Sequence, residues 1–191
     1  MLSLEVFKQR HLFAREIFYD DLWTNHTEEQ FRSPVHPKMN TLIWILWHMA
    51  RVEDGGVNLL VFKQPQVLHA QDWNTKLGTS IEHFGWGMSL EEAHALSQTV
   101  DIVAVRDYLE AVFAQTFDLV NSFSEDVQAQ VLSETEVRQA LEIEGMAKPG
   151  ASDYLTPIYT GWTRLEALWH FSAGHLYWHG GEVRTILGLM N

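Results

Sequence analysis

Between Thr41 and Ala50 the chain reads TLIWILWHMA, a run that is apolar on nearly every side of a helix and carries one histidine, His48. A helix without a polar face cannot lie on a surface, so this segment predicts a central position with other helices packed around it. A turn with Pro34 and Pro37 precedes it, and Leu42, Ile43, Leu46, Trp47, Ala50, Val57, Leu60 and Val61 continue at helical spacing. The run is too short to span a bilayer.

Elsewhere the periodicity is also helical, and no alternating strand pattern occurs. From Leu4 to Trp23, the residues Val6, Phe7, Phe13, Ala14, Ile17 and Phe18 share one face. Arg10 and Asp21 fall near the middle of that face and are expected to pair with other side chains, with pocket lining as the alternative. The segment from Lys63 to Met88 has Pro65, Gly78, Gly85 and Gly87 and poor periodicity, so a crossover without regular structure is expected. With Trp73 and Trp86 it either covers a site or is a plain surface connection. Ser89 to Glu92 is a capping box that opens a short helix, and a long third helix follows from Asp101 to Phe123. Ser133 to Glu136 caps another short helix, Lys148 to Tyr159 reads as a second irregular stretch, and Thr163 to Glu166 opens a fourth helix running to Gly188. The expectation is an all-α fold, a four-helix bundle with long crossover connections, in one domain over residues 1–191.

Charge narrows the partners. Thirteen Lys and Arg against 25 Asp and Glu give a net charge of −12, with no basic cluster. Nucleic-acid affinity rests on cations displacing condensed counterions, so no nucleic-acid partner is expected, and no anionic membrane surface either. The opening MLSLEVFKQR lacks a basic-then-apolar signal pattern, which predicts a cytoplasmic protein acting on a small molecule. With no cysteine in the sequence, disulfides and thiolate ligands are excluded, and any metal must rest on histidines and carboxylates.

The fourth helix carries the chemistry. On a wheel of about 100° per residue with His175 at zero, His179 lies near ~40°, Glu182 near about −20°, Leu168 and Ile186 near ~20° and Phe171 near about −40°. Two imidazoles and a carboxylate thus share the core-facing stripe, where polar groups are costly unless paired. Histidines at i and i+4 can reach one metal ion, although such pairs also occur on helices that hold no metal. His170 falls on the opposite side of the wheel and reads as a packing or solvent-facing residue. The third donor has its best candidate in His48, which alone would read as a satisfied core histidine. Glu182 is the candidate catalytic residue, as general base, or else an acceptor for a ligand's free imidazole N–H. Gly180 and Gly181 leave room for a close approach by another helix or a substrate.

The run His175-Leu-Tyr-Trp-His179-Gly-Gly-Glu182 resembles the signature of the DinB-like superfamily, and Thr41 to Asp54, with Trp44, Trp47, His48 and Glu53, resembles that family's second helix. The resemblance implies a three-histidine site of His48, His175 and His179 for one divalent metal ion, zinc first, with nickel, iron or manganese as alternatives. The sequence departs from the commonest pattern at Gly180, where Arg is frequent, and at Glu182, where Gln is frequent. Some members transfer low-molecular-weight thiols, some isomerise with a thiol cofactor, and homodimers are common. The expected activity is a metal-dependent thiol S-transferase or related hydrolase. The alternative is a non-catalytic, metal-stabilised small-ligand-binding or stress-response protein. A carboxylate-bridged di-iron site would need Glu-x-x-His on two helices, and only Glu91-Glu92-Ala93-His94 offers one.

Overall fold

The computed structural model describes residues 3–190. Among them the fold is all-α: the one β pairing is an isolated antiparallel bridge between Val131 and Thr163. The first long helix, Leu4–Phe18, starts at Ser3, whose hydroxyl accepts from the Val6 backbone N–H. It stops sooner than the pattern to Trp23 suggested, because the chain turns at Tyr19, whose phenol donates to the Leu176 carbonyl at 2.5 Å, and restarts as the short helix Leu22–Asn25. Its buried stripe is rotated from the expected face. Phe7, His11 and Ala14 are buried, whereas Val6 and Phe13 are 39% and 45% exposed. The stripe follows i, i+4, i+7, and a polar residue holds its centre because His11 Nε2 meets Glu53 of the second helix at 3.2 Å. Arg10, on the rotated-out side, and Asp21, beyond the helix end, are exposed.

The second helix, Leu42–Glu53, is buried at every residue, as its composition requires, and Thr41 caps it by accepting from the Trp44 N–H. It runs on as a π-helical segment, Asp54–Phe62. There Gly56 admits the Phe171 ring so closely that an added Cβ would lie 2.1 Å from Phe171 Cγ. The crossover is more regular than expected, with short helices at Val67–Ala70 and Trp73–Leu77. Buried Val67, Leu68, Trp73 and Leu77 fold it back onto the core. The stretch before Tyr159 is likewise helical at Ser152–Tyr159 despite Pro157, because burial of Leu155, Thr156 and Tyr159 offsets the lost backbone donor.

Leu90–Thr99 and the long third helix Ile102–Asn121 follow, the latter capped by Asp101. The capping boxes at Ser89, Ser133 and Thr163 all form, with a further one at Thr27 and Gln30. The fourth helix is built in three pieces: Arg164–Trp169, a π-helical turn at His170–Gly174, and His175–Met190. Second and fourth helices contact each other directly, and the first packs against the fourth. No helix among the described residues is long and apolar enough to cross a membrane.

Candidate metal centre

His48, His175 and His179 converge where the second and fourth helices meet. One ring nitrogen from each lies within 4.8 Å of the others, and among the described residues this is the one cluster of three or more His or carboxylate side chains that could hold a metal ion. The ring centroids stand 5.1 Å apart for His48 and His175, 5.0 Å for His48 and His179, and 4.6 Å for His175 and His179.

The outer partners orient the rings. His48 Nδ1 donates to the Phe84 carbonyl, delivered by the crossover, and the ring stacks on Trp44 at 4.7 Å and 12°. That donation places the free lone pair of His48 on Nε2, facing the cluster. His179 Nδ1 meets Glu182 Oε2 at 2.8 Å, so its Nε2 is the inward nitrogen as well. The other Glu182 oxygen accepts from Asn40 Nδ2 at 3.3 Å. His175 Nε2 stands 3.2 Å from His48 Nε2, while its Nδ1 is buried without a hydrogen-bond partner among the described residues.

These donors fit a divalent ion. Two nitrogens bound at zinc distances to one tetrahedral ion lie about 3.3 Å apart, close to what the two Nε2 atoms show. Without an ion, the same spacing is a hydrogen bond in which His175 carries its proton on Nε2 and donates to His48 Nε2. Burial, then the charge of His179, pushes the His48 pKa from 6.5 down to about 3. Burial, and secondarily the neighbouring histidines, also lowers His175 well below 6.5. Both imidazoles are therefore neutral near pH 7, the form that binds metal.

Other expectations meet mixed outcomes. Glu182 reaches His179 and holds its outer nitrogen. Gly180 is a site of close helix packing: a Cβ there would sit 2.5 Å from the Phe18 ring, whereas at Gly181 nothing lies within 4 Å. His170 does not point away from the cluster. The π turn widens the helix, so five residues span little more than one turn, and the His170 ring comes within 6.4 Å of His175 while packing against Trp162 at 4.8 Å. The Glu91 to His94 motif is taken up elsewhere: Glu92 caps its helix and pairs with Lys148, and His94 contacts the Met39 carbonyl. The Phe84 carbonyl went unread because a backbone acceptor carries no residue signature, and Asn40 because its side-chain partner, Glu182, lies 142 positions away.

Among known proteins, the DinB superfamily matches this chain over residues 19–183. No curated protein matches it. Among solved structures, a conserved protein from Enterococcus faecalis is similar in fold, with a TM-score of 0.68 and 20% sequence identity over 98% of this chain and 94% of that one.

Proposed function

The chain belongs to the DinB superfamily, and from that membership together with its three converging imidazoles we propose that it binds one divalent metal ion through His48, His175 and His179 and acts on a small molecule there. The observation that carries the reading is the 3.2 Å approach of His48 Nε2 and His175 Nε2, two neutral donors already at the spacing of ligands around one ion. Zinc is the first choice for an all-nitrogen set without cysteine, with nickel, iron or manganese as alternatives.

Three protein ligands leave a position for water or substrate, the arrangement of catalytic rather than structural sites. An ion in such a site lowers the pKa of a bound water or thiol and polarises a carbonyl. The chain's own groups do the rest. Trp44 covers one face of His48, the Phe84 carbonyl fixes the His48 tautomer, and Glu182 holds the outer proton of His179 and makes its inner nitrogen more basic. The reading favoured is a thiol S-transferase or related hydrolase, with a low-molecular-weight thiol or water as nucleophile.

Because the ligands come from two helices, a metal-stabilised binding protein is the second reading. A panel of thiols and electrophiles offered to metal-loaded protein separates the two. Turnover supports the enzyme, and ligand-dependent melting shifts without turnover support binding alone. For the metal, titration of wild type against His48→Ala, His175→Ala and His179→Ala, with His170→Ala as control, should show affinity lost in the first three and kept in the fourth. Undiminished affinity in all three ligand variants sinks the proposal.

A further inference from the structure

One turn beyond His48 on the second helix lies Arg51, fully buried. Its guanidinium donates to Asp54 Oδ2 at 3.0 Å, to the Tyr108 hydroxyl at 2.6 Å, to Gln66 Oε1 at 2.7 Å and to the Glu82 carbonyl. Asp54, also fully buried, accepts from the Tyr108 hydroxyl at 2.5 Å, Asn58 Nδ2 at 2.8 Å, and the backbone N–H groups of Val67 and Leu68 at 2.7 and 2.9 Å. Two of Arg51's acceptors and two of Asp54's donors thus belong to the crossover. One group grips it where it leaves the second helix, at 66–68, and again at 82, two residues before the carbonyl that receives His48 Nδ1–H.

Stability alone does not account for this arrangement. A buried ion pair is often no more stabilising than apolar side chains of the same volume, since its desolvation offsets most of the attraction. A guanidinium supplies what an apolar chain cannot: directed donors that fix several oxygens in one plane. The fit it serves is tight. Gly85, with φ +91°, lies so flat against the site that an added Cβ would fall 2.9 Å from Trp47 and 3.3 Å from His48 Nδ1. The Phe84 N–H is tied on the other side to the Met146 carbonyl at 3.0 Å, so Arg51 supplies the fastening toward the second helix.

We propose that Arg51, held by Asp54 and Tyr108, is a positioning residue for the three-histidine site, fastening the crossover so that the Phe84 carbonyl fixes the ring and tautomer of His48. The inference rests on the metal reading for its function but not for its geometry, so two readouts are needed. In metal-free protein, exchange of the His48 Nδ1 proton followed by NMR should speed up at least about tenfold in Arg51→Lys, and by less in Tyr108→Phe, which removes one hydroxyl without leaving a large void. With Co²⁺ as probe, affinity should fall about tenfold in Arg51→Lys with a changed visible absorption envelope, the size of loss typical when a ligand's supporting partner is removed. Val137→Ala, a buried truncation on the short helix Glu134–Arg138, which carries no hydrogen-bond partner of Arg51 or Asp54, should lower the melting temperature and leave both readouts unmoved. Arg51→Lys and Tyr108→Phe proteins with native circular dichroism, wild-type exchange at His48 and wild-type Co²⁺ affinity overturn the inference. If Arg51→Lys does not fold, Tyr108→Phe decides by the same measurements. Wild type that takes up no Co²⁺ defeats the metal reading instead, while the exchange measurement still decides the positioning.

Discussion

Glu182 touches the site only through His179, and that contact separates its two readings. Glu182→Gln keeps the shape and can still accept the imidazole N–H, but loses the negative charge that makes the inward nitrogen a better donor. Metal affinity should therefore fall about tenfold, the lower end for lost supporting partners, as read by competition against a chelating dye. Unchanged affinity with collapsed turnover would instead make Glu182 the general base. His48 and His175 make a second prediction at this scale. Their folded pKa values are depressed by burial, His48 to about 3, while unfolded histidine titrates near 6.5. As pH falls, the unfolded chain binds protons first, so stability is full above about pH 6.5 and is lost progressively toward pH 3. Urea midpoints of metal-free protein should drop between pH 7 and 5, and His48→Gln should flatten the drop. A midpoint that stays level in wild type over that interval would contradict the burial of neutral imidazoles.

The helices show how far sequence carries and where it stops. Local chemistry was legible: the capping boxes at Ser89, Ser133 and Thr163 form as read, and the apolar run around His48 lies wholly inside. What a wheel of constant pitch cannot show is a π turn, since no residue pattern marks it and its stability comes from tertiary packing. The turn at His170–Gly174 leaves His175 and His179 in register, because both lie after it, but shifts His170 toward them. The first helix was misread for a related reason. Its stripe is centred on a polar residue, His11, whose partner Glu53 lies 42 positions away, and patterns of apolar residues miss such pairs. The two adjacent glycines turn packing into a prediction. Gly180→Ala should lower the melting temperature by several degrees, since its Cβ would meet the Phe18 ring at 2.5 Å. Gly181→Ala, with open space around it, should gain about 0.5–1 kcal/mol from helix propensity alone. Equal effects of the two, measured by thermal unfolding, would place the close contact wrongly.

Across the whole molecule, the three ligands join the second helix to the fourth, and the crossover is fastened to the same point through the Phe84 carbonyl. Binding to the folded state alone should stabilise the protein by about 2.7 kcal/mol at a hundredfold excess over Kd. For a chain of this length that corresponds to a rise in melting temperature of roughly 5–10 °C. The gain should not be spread evenly. Backbone hydrogen exchange with and without Zn²⁺ should show added protection in residues 44–50, 82–86 and 170–183, the three stretches that meet at the site. It should show little in the short helix Glu125–Gln128, which packs on the Arg164–Trp169 piece of the fourth helix and carries no ligand. An even gain everywhere would mean that ions act on the net charge of −12, by relieving repulsion between scattered carboxylates, and not at one centre. Magnesium at the same concentration distinguishes these outcomes directly, because it screens carboxylates but binds imidazole poorly: a protection pattern that Mg²⁺ reproduces is electrostatic, and one that it does not belongs to the three histidines.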